Sequence, residues 1–255
     1  MEKITSRRNP ICVHIKKLGS NSGYRKSCGQ FLCDGVKLLE EAVLFGAEIS
    51  IVLTAVDITF PLSVDTMVYY TDRGIIDSLS PLKNAQDMLF VCKIPVNTIY
   101  PASSGAGILL DSVADPGNVG AIIRTANAFT ISSVILTGVC ADPYNPKSIR
   151  ASMGAIFKQN ICNMNINELS VMFNDGQKFI GAAIGTECKS ILEIDISDAI
   201  TVIGNEGHGI SAEVLSLCSD KLRIPISPEC ESLNAAVAAA IIMWEASRLR
   251  TAKVV

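Results

Sequence analysis

Three segments in the second half of the chain carry the side chains best suited to chemistry. These side chains are Asn118 and Arg124 in segment 115–124, Glu206 in 202–210, and Ser232 and Asn234 in 224–234. Amides and hydroxyls order a polar ligand, a carboxylate accepts a proton or faces a cation, and a guanidinium holds an anion. Taken singly, Asn118, Ser232 and Asn234 are better explained as helix caps, and Arg124 as a surface cation.

The middle segment is rich in glycine where it leaves an apolar strand. Gly204, Gly207 and Gly209 fall within six residues, which permits positive φ angles and a close approach of backbone to a ligand. The segment lacks both the Gly-x-Gly-x-x-Gly order and a Gly-Lys-Ser/Thr ending, which disfavours a nucleotide-dependent oxidoreductase. Because Glu206 stands where a phosphate would lie, the pattern indicates a cationic or hydroxyl-rich ligand.

Alternating strands and helices surround these segments and predict a mainly parallel α/β sheet with helices on both faces. The predicted strands are 107–113, 133–137, 179–184, 199–204 and 222–226. The predicted helices are 118–129, 146–157, 167–173, 211–218 and 233–249, with Ser211 and Ser232 as N-caps of the last two. Ligands bind at the carboxyl ends of strands in such sheets, where the three segments begin.

The first part of the chain predicts a smaller α/β unit. A Gly/Ser loop is expected at 18–23 between two short helices, followed by a helix at 36–45 and a strand at 49–53. Further helical and strand-like pieces follow up to residue 92, and around 95–107 the pattern breaks into Pro, Ser, Ala and Gly, a composition typical of a linker. We therefore predict a first domain at 1–98, a linker at 99–106 and a second domain at 107–255.

Composition and charge narrow the class of protein. The 255 residues are 49% hydrophobic and 18% charged, which indicates a folded globular chain. The net charge is −3, yet residues 1–33 carry seven basic residues and one acid, so the remaining 222 residues carry −9. A basic segment on an acidic protein suits electrostatic capture of a polyanion, although a solvated terminal face would look the same.

The cysteines and the apolar runs predict the cellular compartment of the protein. Nine cysteines include no Cys-x-x-Cys pair, so we expect neither a zinc site nor another metal site. The start of the chain lacks the apolar segment of a signal peptide, and the longest apolar run, 235–244, is too short to span a bilayer. A cytoplasmic protein with free thiols and no membrane association is predicted.

Together the three segments resemble, in order and spacing, the motifs of the SpoU (TrmH-like) family within the SPOUT superfamily. Members of this family are S-adenosylmethionine-dependent RNA ribose 2′-O-methyltransferases. Segments 141–147 and 150–155 are also similar to the family, and 4–10 and 31–41 look like its amino-terminal RNA-binding domain. The resemblance covers nearly the whole chain. It departs at Asp34, where the family has Glu.

The resemblance implies a fold and a set of partners. The second domain would be a trefoil-knotted catalytic domain that forms a homodimer, and the first an L30e-like α/β domain that binds RNA. Contacts to S-adenosylmethionine would come from Ile203, Gly204, Ile224, Ile226 and Leu233, with Gly185 and Thr186 from a neighbouring strand end. Phosphate contacts would come from Arg7, Arg8, Lys16, Lys17, Arg25 and Lys26.

The resemblance also implies roles for the five polar residues. Arg124 would act as the base that receives the ribose proton, or it would hold the ribose and its adjacent phosphate. Asn118, Glu206, Ser232 and Asn234 would order the site. Ribosomal RNA is the expected substrate, with transfer RNA as the nearest alternative. A non-catalytic RNA-binding assembly factor is the other alternative, and the presence of all five residues argues against it.

Overall fold

The computed structural model describes residues 2–95, 105–185 and 187–254, which divide into two compact units. The first unit contains the described residues up to 95 together with Asp142–Lys158, and the second contains the others. Segment Asp142–Lys158 thus groups with the first unit although it lies inside the predicted second domain. Most of the predicted linker, 99–104, lies outside the described residues.

Strands and helices alternate along much of the chain. The strands are β1 (Glu2–Ile4), β2 (Gln30–Asp34), β3 (Ile49–Thr54), β4 (Met67–Thr71), β5 (Met88–Lys93), β6 (Gly107–Asp111), β7 (Val134–Thr137), β8 (Ile161–Asn163), β9 (Phe179–Ala182), β10 (Lys189–Ser190), β11 (Ile200–Ile203) and β12 (Asp220–Arg223). The helices are α1 (Pro10–Ser20), α2 (Ser22–Cys28), α3 (Val36–Leu44), α4 (Arg73–Leu79), α5 (Pro116–Ala128), α6 (Pro146–Ser152), α7 (Ile166–Asn174), α8 (Ala212–Ser216) and α9 (Ala235–Val254).

The first unit is built on a mixed five-stranded sheet in the order β1-β4-β3-β5-β2. Strand β5 runs antiparallel to both neighbours, so that Leu32 faces Val91 across the ladder. Side chains of a strand alternate between faces, and Leu32 accordingly packs in one core with α1 and α4, while Phe31 packs in another with α3 and α6. This layering confirms a smaller α/β unit, and the predicted helix at 36–45 and strand at 49–53 are also confirmed.

The predicted loop at 18–23 is wrong, because one residue makes the whole connection between α1 and α2. The backbone N–H of Asn21 donates to the Lys17 carbonyl at 2.9 Å and ends α1. The Asn21 side chain accepts from the Tyr24 N–H, also at 2.9 Å, and begins α2. A single capping asparagine therefore replaces the six-residue loop.

Arg25 is buried in the first unit and forms an ion pair with Asp142. The Arg25 residue is 2% exposed, and its Nε and Nη2 donate to one Asp142 oxygen at 2.8 and 2.7 Å. Its Nη1 donates to the Leu18 carbonyl at 2.7 Å, and the Ser22 hydroxyl donates to the same Asp142 oxygen at 3.0 Å. The guanidinium is thus engaged inside the protein, which contradicts the prediction that Arg25 contacts RNA phosphates.

The second unit is built on a seven-stranded sheet in the order β10-β12-β9-β11-β6-β7-β8. All of its paired strands run parallel, with Val202 of β11 between Leu109 of β6 and Gly181 of β9. The predicted mainly parallel α/β sheet is confirmed. Because the strands are parallel, the segments that follow β6, β9, β11 and β12 all leave from the same edge.

Several predicted boundaries in this half of the chain are wrong for local reasons. Strands β8 and β10 were not predicted, since they are three and two residues long. The predicted helix 146–157 stops at Ser152, because Met153 and Gly154 adopt left-handed φ angles of +48° and +84° before a short 3₁₀ turn. Strand β12 begins two residues earlier than predicted and ends at Arg223.

Of the two predicted N-caps, Ser211 is confirmed and Ser232 is wrong. Ser211 caps α8 through the Val214 N–H, as predicted. Ser232 does not cap α9, because the Asn234 side chain accepts from Ala236 N at 2.9 Å and from Val237 N at 3.2 Å, and the helix begins at Ala235. Within the described ranges, none of the helices combines the length and apolar character that a bilayer span requires.

Candidate active site

A cavity of about 1110 Å³ opens at the carboxyl edge of the parallel sheet. Its walls are the segments that follow β9, β11 and β12 and the first turn of α9. Six of the residues expected to contact S-adenosylmethionine line it: Gly185, Ile203, Gly204, Ile224, Ile226 and Leu233. The seventh, Thr186, lies outside the described residues. Ile210, Leu215 and Leu222, which no sequence pattern pointed out, add apolar surface to the walls.

Gly204 allows the segment after β11 to fold back on itself at the cavity wall. A Cβ at residue 204 would lie 2.2 Å from the Gly209 carbonyl carbon and 2.3 Å from the Ile210 nitrogen. Asn205 and Gly209 exchange two backbone hydrogen bonds of 2.9 Å, and Gly209 has a φ of +71°. Backbone occupies the space that any side chain at residue 204 would need, so only glycine fits there.

Three of the predicted catalytic residues are joined in one directional series of hydrogen bonds, here called the amide–carboxylate chain. Asn118 Nδ2 donates to Glu206 Oε1 at 2.8 Å, and Asn234 Nδ2 donates to Asn118 Oδ1 at 3.0 Å. The Asn234 oxygen is held by the first N–H groups of α9. The first turn of α9 therefore orients Asn234, which orients Asn118, which presents its amide hydrogens to Glu206.

Two long helices begin at the amide–carboxylate chain. Helix α5 is capped by Asp115, whose carboxylate accepts from the Asn118 N–H at 2.8 Å, and α9 is capped by Asn234. Asn118 lies in the first turn of α5, so its bond to Glu206 brings the carboxylate to the start of that helix, while α9 reaches Glu206 only through Asn234 and Asn118. The site thus holds an anionic group at the cavity with amide donors next to it.

The other two predicted catalytic residues, Ser232 and Arg124, lie outside the amide–carboxylate chain. Ser232 lines the cavity and is exposed. Arg124, on the third turn of α5, is exposed, and it makes no hydrogen bond or ion pair with any residue that the structure describes. The structure therefore joins Asn118, Glu206 and Asn234 directly, places Ser232 in the same cavity and leaves Arg124 at the surface.

Residues at the end of β6 that sequence analysis missed lie behind the Glu206 segment. Asp111 and Ser112 hydrogen-bond to residues on both sides of Glu206. The available signal was an aspartate that ends an otherwise apolar strand, in which all five residues are buried. Cys140, nearby, donates to the Leu110 carbonyl at 3.3 Å, and burial raises the pKa of its thiol, so it stays protonated near neutral pH.

The family follows from a direct comparison. Residues 106–244 match the model of the SpoU rRNA Methylase family, and the chain belongs to that family. It is 29% identical to the 23S rRNA (guanosine(2553)-2′-O)-methyltransferase RlmP of Bacillus subtilis, over 96% of this chain and 98% of that protein. It is 30% identical to an uncharacterized tRNA/rRNA methyltransferase of Synechocystis, over 96% and 93% of the two chains.

Solved structures resemble this fold over both units. The AdoMet-bound rRNA methyltransferase from Sinorhizobium meliloti superposes with a TM-score of 0.86 at 26% identity, covering 97% of each chain. The SpoU methyltransferase AviRb from Streptomyces viridochromogenes, in complex with AdoMet, gives a TM-score of 0.84 at 28% identity, covering 96% of this chain and 99% of the other. The α/β fold inferred from the sequence is therefore confirmed.

Proposed function

We propose that this protein transfers a methyl group from S-adenosylmethionine to a ribose 2′-hydroxyl of ribosomal RNA. The observation that carries the proposal is the amide–carboxylate chain of Glu206, Asn118 and Asn234. It lies beside a cavity whose wall is packed so closely at Gly204 that no side chain fits there. Family membership supports methyl transfer, and a 23S rRNA 2′-O-methyltransferase among the relatives supports this substrate.

The chemistry of the cavity lining suits the methyl donor. Ile203, Ile224 and Leu233 offer apolar surface for a flat adenine ring, and the close fold at Gly204 exposes backbone for polar contacts. The Glu206 carboxylate faces the same space and suits the positive charge of a sulfonium. When bound, S-adenosylmethionine supplies an electrophilic methyl group.

The chain's own residues would position the ribose and manage its proton. The 2′-hydroxyl must lose a proton near the transition state, and Glu206, held by Asn118 at one carboxylate oxygen, offers its other oxygen as the acceptor. A guanidinium is a permanent cation with five donors, so Arg124 is better suited to hold the ribose and its phosphate than to take the proton. Ser232 would contribute a hydroxyl to the same ordering.

Replacing Arg124 with alanine should lower kcat by about 100-fold while leaving donor affinity within about twofold, because the side chain does not line the donor cavity. Transfer of a labelled methyl group to rRNA measures the first quantity and calorimetry the second. Arg124→Lys, which keeps the charge but loses the planar fork, should retain an intermediate rate. Unchanged turnover in Arg124→Ala would remove this residue from the mechanism.

The substrate class is tested with labelled donor and fractionated RNA. Label in rRNA alone supports the proposal, and label confined to tRNA would replace it with the nearest alternative. RNA binding without any methyl transfer would favour the non-catalytic assembly factor. Mapping 2′-O-methyl positions in cells with and without the protein then identifies the nucleotide.

Five of the exposed cations of the first unit, all within residues 7–26, are proposed to contact RNA phosphates. They are Arg7, Arg8, Lys16, Lys17 and Lys26. The Lys17 ammonium lies 5.4 Å from the centre of the Tyr24 ring, which adds a flat surface next to the charge. Phosphate contacts set position and affinity without reading sequence.

Joint replacement of Lys16 and Lys17 by alanine should weaken rRNA binding and reduce the slope of log K against log salt by about 1.5 to 2, since two phosphate contacts are lost. Filter binding at several salt concentrations measures the slope. Lys37→Ala, at an exposed lysine on α3 of the same unit, serves as the control and should leave the slope unchanged. An equal loss in the control would mean that only total charge matters.

Three further predictions from the sequence are also proposed, of which the homodimer and the knot are implied by the family resemblance. Homodimerisation through the second unit is supported by Val237 and Trp244, which lie seven residues apart on α9 and are 49% and 51% exposed. Analytical ultracentrifugation tests this homodimerisation.

The trefoil knot remains a prediction. A cytoplasmic location is supported by nine cysteines that are all free thiols.

A further inference from the structure

Asp111, the last residue of β6, is a buried carboxylate that holds one end of the segment carrying Glu206. It is 3% exposed, and its Oδ2 accepts from the Ser211 N–H at 2.7 Å. Its Oδ1 accepts from the Ser112 hydroxyl at 3.2 Å. Because Ser211 is the N-cap of α8, Asp111 fixes the place where the segment 204–211 joins that helix.

Asn205 holds the other end of the same segment. Its Nδ2 donates to the Ser112 carbonyl at 2.8 Å. Its Oδ1 accepts from the Gly207 N–H at 2.9 Å and from the His208 N–H at 3.2 Å. One amide side chain therefore ties the backbone on both sides of Glu206 to the end of β6.

The backbone at Ser112 is shaped for this contact. Ser112 has a φ of +58°, a left-handed conformation that costs energy for a residue with a Cβ. Gly138 also has a positive φ, and a Cβ at residue 138 would lie 2.2 Å from the Ser112 hydroxyl oxygen. The fold thus keeps room for a strained turn that directs the Ser112 carbonyl to Asn205.

We infer that Asp111 and Asn205 are positioning residues for methyl transfer, which hold the Glu206 segment against the end of β6 so that the Glu206 carboxylate meets Asn118. The inference rests on the proposed function. The two residues act through backbone, since Asp111 and Asn205 touch the segment at Ser211, Gly207 and His208. Neither bonds to the Glu206 side chain itself.

A double-mutant cycle separates positioning from general stability. Asn205→Ala should lower the single-turnover rate of methyl transfer roughly 30- to 100-fold, because a small displacement of a reacting group has an effect of that size. In a Glu206→Gln background, Asn205→Ala should lower the same rate by less than about twofold, since the carboxylate that Asn205 positions is already absent. Asn167→Ala, an exposed amide on α7 of the same unit, is the control and should be silent.

Asp111 is tested by conservative rescue. Asp111→Asn keeps an oxygen for the Ser211 N–H and should retain most of the rate that Asp111→Ala loses. Thermal melting of each variant shows whether the fold is intact, and Asp111→Asn serves as the variant to measure if Asp111→Ala does not fold.

The outcomes are distinct. Wild-type transfer together with equal losses for Asn205→Ala in both backgrounds would overturn the positioning role while leaving the proposed function in place. A normal rate in Asn205→Ala would do the same. Absence of transfer by the wild-type protein on rRNA and tRNA would refute the proposed function, and the inference with it.

Discussion

Replacing Gly204 with alanine should abolish S-adenosylmethionine binding and, with it, methyl transfer. The new methyl group would lie 2.2 and 2.3 Å from backbone atoms of Gly209 and Ile210, which a rotamer change cannot relieve. The segment after β11 would have to open, and the cavity wall from Ile203 to Ile210 would be lost. We expect the donor Kd, measured by calorimetry, to rise at least about 100-fold, because overlap with backbone can be relieved only by moving the wall.

Gly207→Ala is the matched control on the same segment. A Cβ at residue 207 would meet only the Asn205 side-chain oxygen at 3.5 Å, an ordinary contact, so donor affinity should stay within about threefold of wild type. Circular dichroism and thermal melting of both variants separate a local opening from global unfolding. Tight donor binding by Gly204→Ala would show that the cavity tolerates a different path of this segment, and the assignment of the donor site would be wrong.

Replacing Asp142 with alanine should lower the free energy of unfolding by about 3–5 kcal/mol, the usual effect of leaving a buried charge without its partner. Arg25 would remain in the interior with two N–H donors that have lost their acceptor, since Nε and Nη2 both donate to Asp142. The Ser22 hydroxyl would lose its acceptor as well. Urea denaturation followed by circular dichroism measures the change.

Two variants sharpen this test. Glu48→Ala removes a partner from the exposed pair with Lys93, and it should shift the melting temperature little. Joint replacement of Arg25 by methionine and Asp142 by leucine removes both charges and should recover most of the lost stability. A loss below about 1 kcal/mol in Asp142→Ala would mean that water reaches Arg25 and replaces the carboxylate.

The arrangement of the second unit could be predicted because parallel strands with both faces covered are continuously apolar. All five residues of β6 and all four of β11 are buried, and each such run stands out in the sequence. The convergence of Asn118, Glu206 and Asn234 follows from the shared edge of such a sheet. The short strands β8 and β10 lack this signal, since three and two residues show no period.

Other features depend on partners that are distant in sequence. Arg25 lies in a strongly basic segment, and nothing local distinguishes it from Lys26, which is exposed. Its burial is decided by Asp142, 117 positions away. Ser232 and Asn234 are comparable capping residues, and the choice between them is settled by the bond from Asn234 to Asn118, which only the folded chain provides.

The grouping of Asp142–Lys158 with the first unit has a consequence for dissecting the protein. An expressed fragment that starts at residue 107 would include α6 but not the strands against which it packs. Ile149, now in a core with Phe31 and Phe90, would face water, and Asp142 would lose its cation. Dividing the chain near residue 107 therefore removes core contacts from both fragments. Each unit is best studied by substitution within the intact polypeptide.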